Sequence, residues 1–261
     1  MIRTYSSELD KHTEEQLDPE DEKPKKQLEL KEGLNRVIWD LRYEGPPRVK
    51  DYYLYEYDAG SKGPLALPGR YQVRLTVDGR NLTAPLEVKL DPRVNVSAED
   101  LEKQFALLMD IRGQQTRAYS IANQIIDLRK QLEEMKGRVD PSKAKPLLAE
   151  AQALDERLAA LQDKLVNLRV RANEDSLRFS LGVDGSLADL AIIVGGEADV
   201  APTDASIQQF AKLKSEVDGY ANRWSSIATT DIPKFQRAAE QANLHVLIVS
   251  NPVGKGSEEA K

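Results

Sequence analysis

The chain has 261 residues, with 37 Lys and Arg against 43 Asp and Glu, two histidines and no cysteine. The missing cysteines exclude disulfides, thiolate metal sites and thiol nucleophiles, and His12 and His245 leave little for a histidine-based metal cage or triad. A net charge of −6 spread along the chain argues against nucleic acid as a partner, and nothing in the composition asks for a cofactor. The length predicts one or two domains with a sizeable core. Residues Met1 to Ser6 carry no apolar core of signal-peptide length. The longest apolar run, near Leu187 to Val194 and broken by Asp189, is too short for a membrane span. Taken alone, these features describe a cytoplasmic protein if the chain is free-standing.

In chain order, Ile2 to Ser6 reads as a short strand. Glu8 to Glu32 follows, with ten acidic and five basic residues plus Pro19 and Pro24, and reads as a solvated, disordered loop because it cannot bury enough apolar area to offset its ordering entropy. From Gly33 the pattern has period two, with Val37, Trp39, Leu41 and Tyr43 on one face and Arg36, Asp40 and Arg42 on the other. Gly45-Pro46-Pro47 stops this strand. Pro68-Gly69 then turns the chain into Tyr71, Val73, Leu75 and Val77, and Asp78-Gly79 is the signal of a two-residue hairpin turn. The return strand sets Leu82, Ala84, Leu86, Val88 and Leu90 on one face, with Pro85 in the opposite phase at an edge or bulged position.

The chain divides near residue 92, where Asp91-Pro92-Arg93 closes the strand-rich part. Ser97 with Asp100 three residues on reads as a helix N-cap, opening a long helix to about Lys136. Along it Ile111, Ala118, Ile125 and Leu132 recur every seven residues beside a companion seam of Leu107, Ile121, Leu128 and Met135, interrupted by Gln114. Gly137 ends that helix and Asp140-Pro141 turns the chain. A second helix from about Pro146 steps through Leu147, Ala151, Leu154, Leu158, Leu161, Leu165 and Leu168, so the two predict an antiparallel hairpin of helices. A short helix around Leu187 to Val194, closed by Gly195-Gly196, and another from about Thr203 to Ile227 complete a bundle. The latter turns Ile207, Phe210, Val217, Tyr220, Trp224 and Ile227 inward. Asp231-Ile232-Pro233 opens a last short helix. Leu244 to Val249 reads as a strand or an extended tail, and the final residues as disordered.

The strand motifs carry a resemblance. Gly33-Leu34-Asn35-Arg36-Val37-Ile38-Trp39-Asp40-Leu41-Arg42-Tyr43, then Gly63 to Val73 around Leu67-Pro68-Gly69-Arg70-Tyr71, then Val77-Asp78-Gly79 and Val88-Lys89-Leu90-Asp91-Pro92-Arg93-Val94, together resemble the C-terminal region of bacterial sortilin-like β-propeller proteins, often labelled BNR-repeat glycosyl hydrolases. Gln131-Leu132, Pro202-Thr203 and Asp231-Ile232-Pro233-Lys234-Phe235 fit the helical tail of that family. The tryptophan–aspartate strand with its Pro-Gly-x-Tyr hairpin is also similar to the Ig-like domain of flagellar hook-capping proteins. The resemblance implies an α+β fold: a partial Ig-like, fibronectin-like β-sandwich over 1–92, including the acidic loop 8–32, an antiparallel α-helical bundle over 93–250, and a disordered tail over 251–261. It implies a partner too, the propeller domain or another envelope protein, and an extracellular or periplasmic setting for the whole protein. No propeller is present, so the chain reads as a separated C-terminal fragment.

Among candidate sites, Tyr52, Tyr53, Tyr55 and Tyr57 stand out, since clustered tyrosines can stack on a sugar ring or anchor a partner. The alternative is a strand whose alternate tyrosines pack inward. Trp39 reads as core, and Asp40 and Arg42, on the other face, as members of surface cross-strand pairs rather than an acid/base couple. No two of the 43 acidic residues are singled out as the carboxylate pair of a glycosidase, and no catalytic, cofactor-binding or metal-binding residue is assigned. Gly254-Lys255-Gly256-Ser257 lacks the upstream glycine of a phosphate-binding loop. The resulting expectation is a non-catalytic accessory and interaction module that supports a propeller or docks a partner, with carbohydrate as a further ligand class. Two alternatives are a share in a glycoside hydrolase whose catalytic residues lie in the missing propeller, and a free-standing structural adaptor of the cell envelope.

Overall fold

The structure, a computed structural model, describes residues 1–7, 28, 30–47, 49, 52, 62–140, 144–171, 173–196 and 198–242. Two strands and five α-helices follow one another: β1 (Gly69–Val77), β2 (Arg80–Val88), α1 (Ala98–Arg138), α2 (Lys145–Leu165), α3 (Val183–Gly195), α4 (Asp204–Ser226) and α5 (Ile232–Gln241). A 3₁₀ turn, Asn173–Leu177, precedes α3, and a π-helical segment, Ile227–Asp231, joins α4 to α5.

The helices form where apolar spacing and capping coincide. The Ser97 side chain accepts from the Asp100 N–H at 3.1 Å, opening α1, and the Thr203 side chain does the same for Ser206 at the start of α4. Both seven-residue seams of α1 are buried, with Ile111, Ala118, Ile125, Leu128 and Leu132 at 0% exposure. They face the leucine stripe of α2, and the two helices run antiparallel. Arg129 pairs with Asp155 at 2.8 Å and donates to Gln162 at 3.0 Å, while Lys136, a turn and more further on, reaches back to Gln152 at 3.4 Å. Burial of each such leucine contributes about 2 kcal/mol, so the α1–α2 seam is the backbone of the core. Gly137 lies inside α1 rather than ending it; the helix stops at Val139, whose extended backbone donates to the Lys136 carbonyl.

The other helices close over the remaining faces of α1. α3 lies antiparallel to it, since Gln104 near the start of α1 donates to the carbonyls of Val194, in the last turn of α3, and Ala198, just past it, each at 2.7 Å. α4 is tied to α1 by Arg117 and Asp218, and α2 to the π segment by Arg157 and Asp231 at 2.9 Å. Leu213, Val217, Trp224 and Ile227 face the core, whereas Ile207 is half exposed and Phe210 and Tyr220 are only partly covered.

The partial Ig-like β-sandwich over 1–92 is overturned. Among the described residues the sheet is two-stranded, β1 paired antiparallel with β2 from Gly69↔Val88 to Val77↔Arg80. Its Asp78-Gly79 turn has both residues at positive φ, 48° and 74°. A sandwich needs a second sheet whose inner face covers the first. The Gly33 to Tyr43 stretch does not supply one, because Leu41 enters the left-handed region at φ 60° and breaks the extended run. What remains of the pairing is one bridge, Arg42↔Leu65, with Tyr43 donating to Pro64 at 2.9 Å and Ala66 to Leu41 at 2.7 Å. Ile2 to Ser6 likewise forms no strand, although Glu44 donates to Ile2 and Leu28 to Ser6. The molecule is therefore mostly helical with one hairpin. Tyr43 packs its ring on Phe105 of α1 at 5.2 Å, which fastens these irregular segments to the helices. The expected acidic loop falls largely outside the described residues, as do the extended stretch Leu244 to Val249 and the tail.

Candidate functional site

Of the four tyrosines singled out by sequence, Tyr52 is described; Tyr53, Tyr55 and Tyr57 lie outside the described residues. Tyr52 turns its hydroxyl inward, against the core between α1 and α3, where it meets Tyr119 of α1 and Asp184 of α3. Asp184 sits in the first turn of α3, which opens at Gly182 without a side-chain cap. An acidic residue is favourable there because the helix dipole favours negative charge at its N-terminal end, although the Gly185 N–H also donates to the Gly182 carbonyl at 3.2 Å. Its approach depends on Gly182: a Cβ at that position would stand 2.4 Å from the Leu165 carbonyl oxygen and 2.8 Å from the Asp184 carboxylate.

The electrostatics of this trio are unusual. Asp184 is 0% exposed and Tyr119 is 4% exposed. The Tyr52 hydroxyl and the N–H groups of Asp184 and Gly185 are directed at the carboxylate, yet neither carboxylate oxygen, nor the hydroxyl of Tyr52 or Tyr119, completes a well-aligned hydrogen bond. Burial raises the carboxyl from an ordinary 3.8 to about 7, with Asp189 adding repulsion and Tyr52 and the backbone N–H groups opposing it. Burial and the neighbouring carboxylate also push both tyrosine hydroxyls well upward. No described cation pairs with Asp184. Chemically the trio is a buried acid that changes charge near neutral pH.

A second feature lies along the same α1–α3 interface, towards the start of α1. A cavity of about 330 Å³ opens between the Lys62 to Pro68 segment, the end of β2 and the two helices. Leu65, Phe105, Leu108 and Ile192 give it apolar walls, and Arg42, Lys62 and Arg112 add positive charge. Two buried glutamines reach it. Gln104 spends its amide nitrogen on the two carbonyls at the end of α3, while the Gln115 amide nitrogen, on a side chain only 3% exposed, has no partner.

The third feature is the hairpin. Its register pairs Tyr71 with Leu86, Val73 with Ala84 and Leu75 with Leu82 on one face, and Arg70, Gln72, Arg74 and Thr76 line the other. The base is fixed: Trp39 meets the Tyr71 ring edge-on at 6.0 Å, and its indole N–H donates to the Arg42 carbonyl at 3.0 Å. Towards the turn the apolar face is uncovered, with Val73, Leu75 and Val77 just over half exposed and Leu82 at 67%. Asp40 and Arg42 do not form a surface pair of side chains. Asp40 accepts the Arg42 backbone N–H at 3.1 Å, and the Arg42 guanidinium donates to Gly63 at 3.1 Å.

Sequence reasoning passed over Asp184, Tyr119, Arg112 and Gln115. Asp184 looks like any acid in a first helical turn. A usable signal does exist in α1: Gln104, Leu108, Gln115, Tyr119 and Ala122 form an uncharged stripe beside the heptad seams, in a helix otherwise rich in charge. Among the described residues no cluster of three His, Asp or Glu could hold a metal ion, and no helix is long and apolar enough to cross a membrane. Comparison of the chain with models of protein families, with curated proteins and with solved structures finds no match.

Proposed function

We propose that this chain is a non-catalytic accessory and interaction module that docks through the apolar face of its hairpin onto a β-rich partner at the cell envelope. The observation that carries the reading is the uncovered row of Val73, Leu75, Val77 and Leu82 on a sheet that has no second layer among the described residues. Two strands alone are marginally stable in water, and an apolar sheet face gains free energy from any layer that covers it. A β-propeller of the sortilin-like type is the partner the strand motifs imply, and it makes the chain an extracellular or periplasmic buttress for that domain.

The test mixes the purified chain with a separately produced propeller of that type and follows complex formation by light scattering after size exclusion. The expected outcome is a defined complex that Leu75→Lys with Leu82→Lys abolishes while the melting temperature holds. A complex indifferent to both substitutions, or none at all, overturns the reading. A panel of glycosides assayed with the isolated chain bears on the non-catalytic part: turnover removed by one carboxylate substitution would refute it.

A further inference from the structure

We infer that the cavity between the Lys62 to Pro68 segment and the α1–α3 pair binds a small monocarboxylate with a short apolar body. Its volume of 330 Å³ stands at the small end of ligand cavities, which span about 300–1,000 Å³. Its wall is apolar where Phe105, Leu108 and Ile192 line it, so an alkyl or aryl body is favoured there. Its charge is one-sided. Among its lining residues Lys89 is held by Glu87 at 3.4 Å and Asp91 by Arg93 through both carboxylate oxygens at 2.9 and 2.6 Å, while two guanidinium groups, Arg42 and Arg112, stand against one acid, Asp199.

The donors are also placed. Arg42 is fixed through Nη1 to the Gly63 carbonyl and Arg112 through Nε to the Glu44 carbonyl, and among the described residues no partner takes their remaining N–H groups. Planar forks held in this way match a carboxylate better than an ammonium group does. Beside them the Gln115 amide nitrogen is buried and unpaired, a state that costs about 1–3 kcal/mol unless an acceptor arrives. Gln104, which lines the same cavity, shows the contrast, because both of its amide hydrogens have carbonyl acceptors. An acceptor-bearing anion satisfies the Gln115 donor and the guanidinium groups together. A neutral apolar molecule satisfies neither.

The test uses hexanoate and its neutral isostere hexanamide as probes, read by backbone amide shifts and by calorimetry on the full chain. Hexanoate is expected to saturate, with shifts centred on Phe105 and Gln115, and to bind at least about tenfold tighter than hexanamide, the difference a charge-assisted hydrogen bond supplies. Gln115→Leu, which removes the stranded donor and should fold at least as well, is expected to weaken hexanoate by about tenfold. Equal binding of acid and amide, shifts away from the cavity, no saturation up to about 10 mM, or a Gln115→Leu protein that binds hexanoate unchanged would each overturn the inference.

Discussion

Replacing Asp184 with asparagine tests the buried acid directly. The folded protein holds this carboxyl near 7 against an ordinary 3.8, so between those values the folded state keeps a proton that the unfolded chain gives up. Stability from this group is therefore highest at or below about pH 4, falls as pH rises, and levels off above about pH 7. At about 1.4 kcal/mol for each tenfold, the interval from 3.8 to about 7 makes ionised Asp184 cost about 4 kcal/mol. That is a large share of a total of about 5–15 kcal/mol. Asparagine carries no charge, but its new amide hydrogens need acceptors and give back about 1–3 kcal/mol. Urea unfolding of both proteins at a series of pH values should show the difference, variant minus parent, climbing by several kcal/mol between about pH 4 and 7 and flat beyond. Taking the difference cancels the contribution of every group that behaves alike in both proteins. A flat difference profile, or a variant less stable than the parent at about pH 8, would refute the reasoning.

Other consequences are simpler to read. Gly182→Ala forces a methyl to within 2.4 Å of the Leu165 carbonyl, and thermal unfolding should show a loss of about 1–3 kcal/mol or more. Asn167 is 1% exposed, donates to the Ser180 carbonyl at 2.7 Å and accepts from Arg169; Asn167→Ala should cost about 1–3 kcal/mol in denaturant unfolding and loosen the link between α2 and α3. Leu82→Lys should leave stability within about 0.5 kcal/mol by calorimetry, because that side chain is already 67% exposed.

The helical part was legible because each of its signals is local. Every seam residue named along α1 is buried, from Leu107 to Met135, and so is each stripe residue of α2 from Leu147 to Leu165. The hairpin was legible for the same reason: Asp78-Gly79 specifies its turn, and strand alternation specifies its register. The sandwich was not, because a second sheet is a non-local commitment that alternation in Gly33 to Tyr43 suggests but cannot enforce. One left-handed residue, Leu41, ends it. The buried trio was illegible because its members come from three places, Tyr52, Tyr119 and Asp184, and none is unusual in its own neighbourhood. Ile207 shows the limit of periodicity: it keeps the spacing of the α4 stripe, yet in that first turn it is Ser206 that is buried, at 6%, and Ile207 stays half exposed.

The π segment at Ile227–Asp231 settles how α5 meets the core. Buried positions run Leu213, Val217 and Trp224 in α4, Ile227 at the start of the π segment, then Ile232, Phe235 and Ala239 in α5. The step from Ile227 to Ile232 is five residues, one more than an α-helix allows on a single face. In an unbroken α-helix that extra residue would rotate everything after it by about 100°, carrying Phe235 off the α2 surface and bringing Asp231 inward. The wider turn absorbs it: the backbone stays helical through Ser226, Ile227 and Asp231, and Asp231 remains outside to meet Arg157. It also suits Pro233, which has no N–H to give to the preceding turn. The segment is thus a phase correction of one residue, and the register of the ten residues of α5 against the core depends on it.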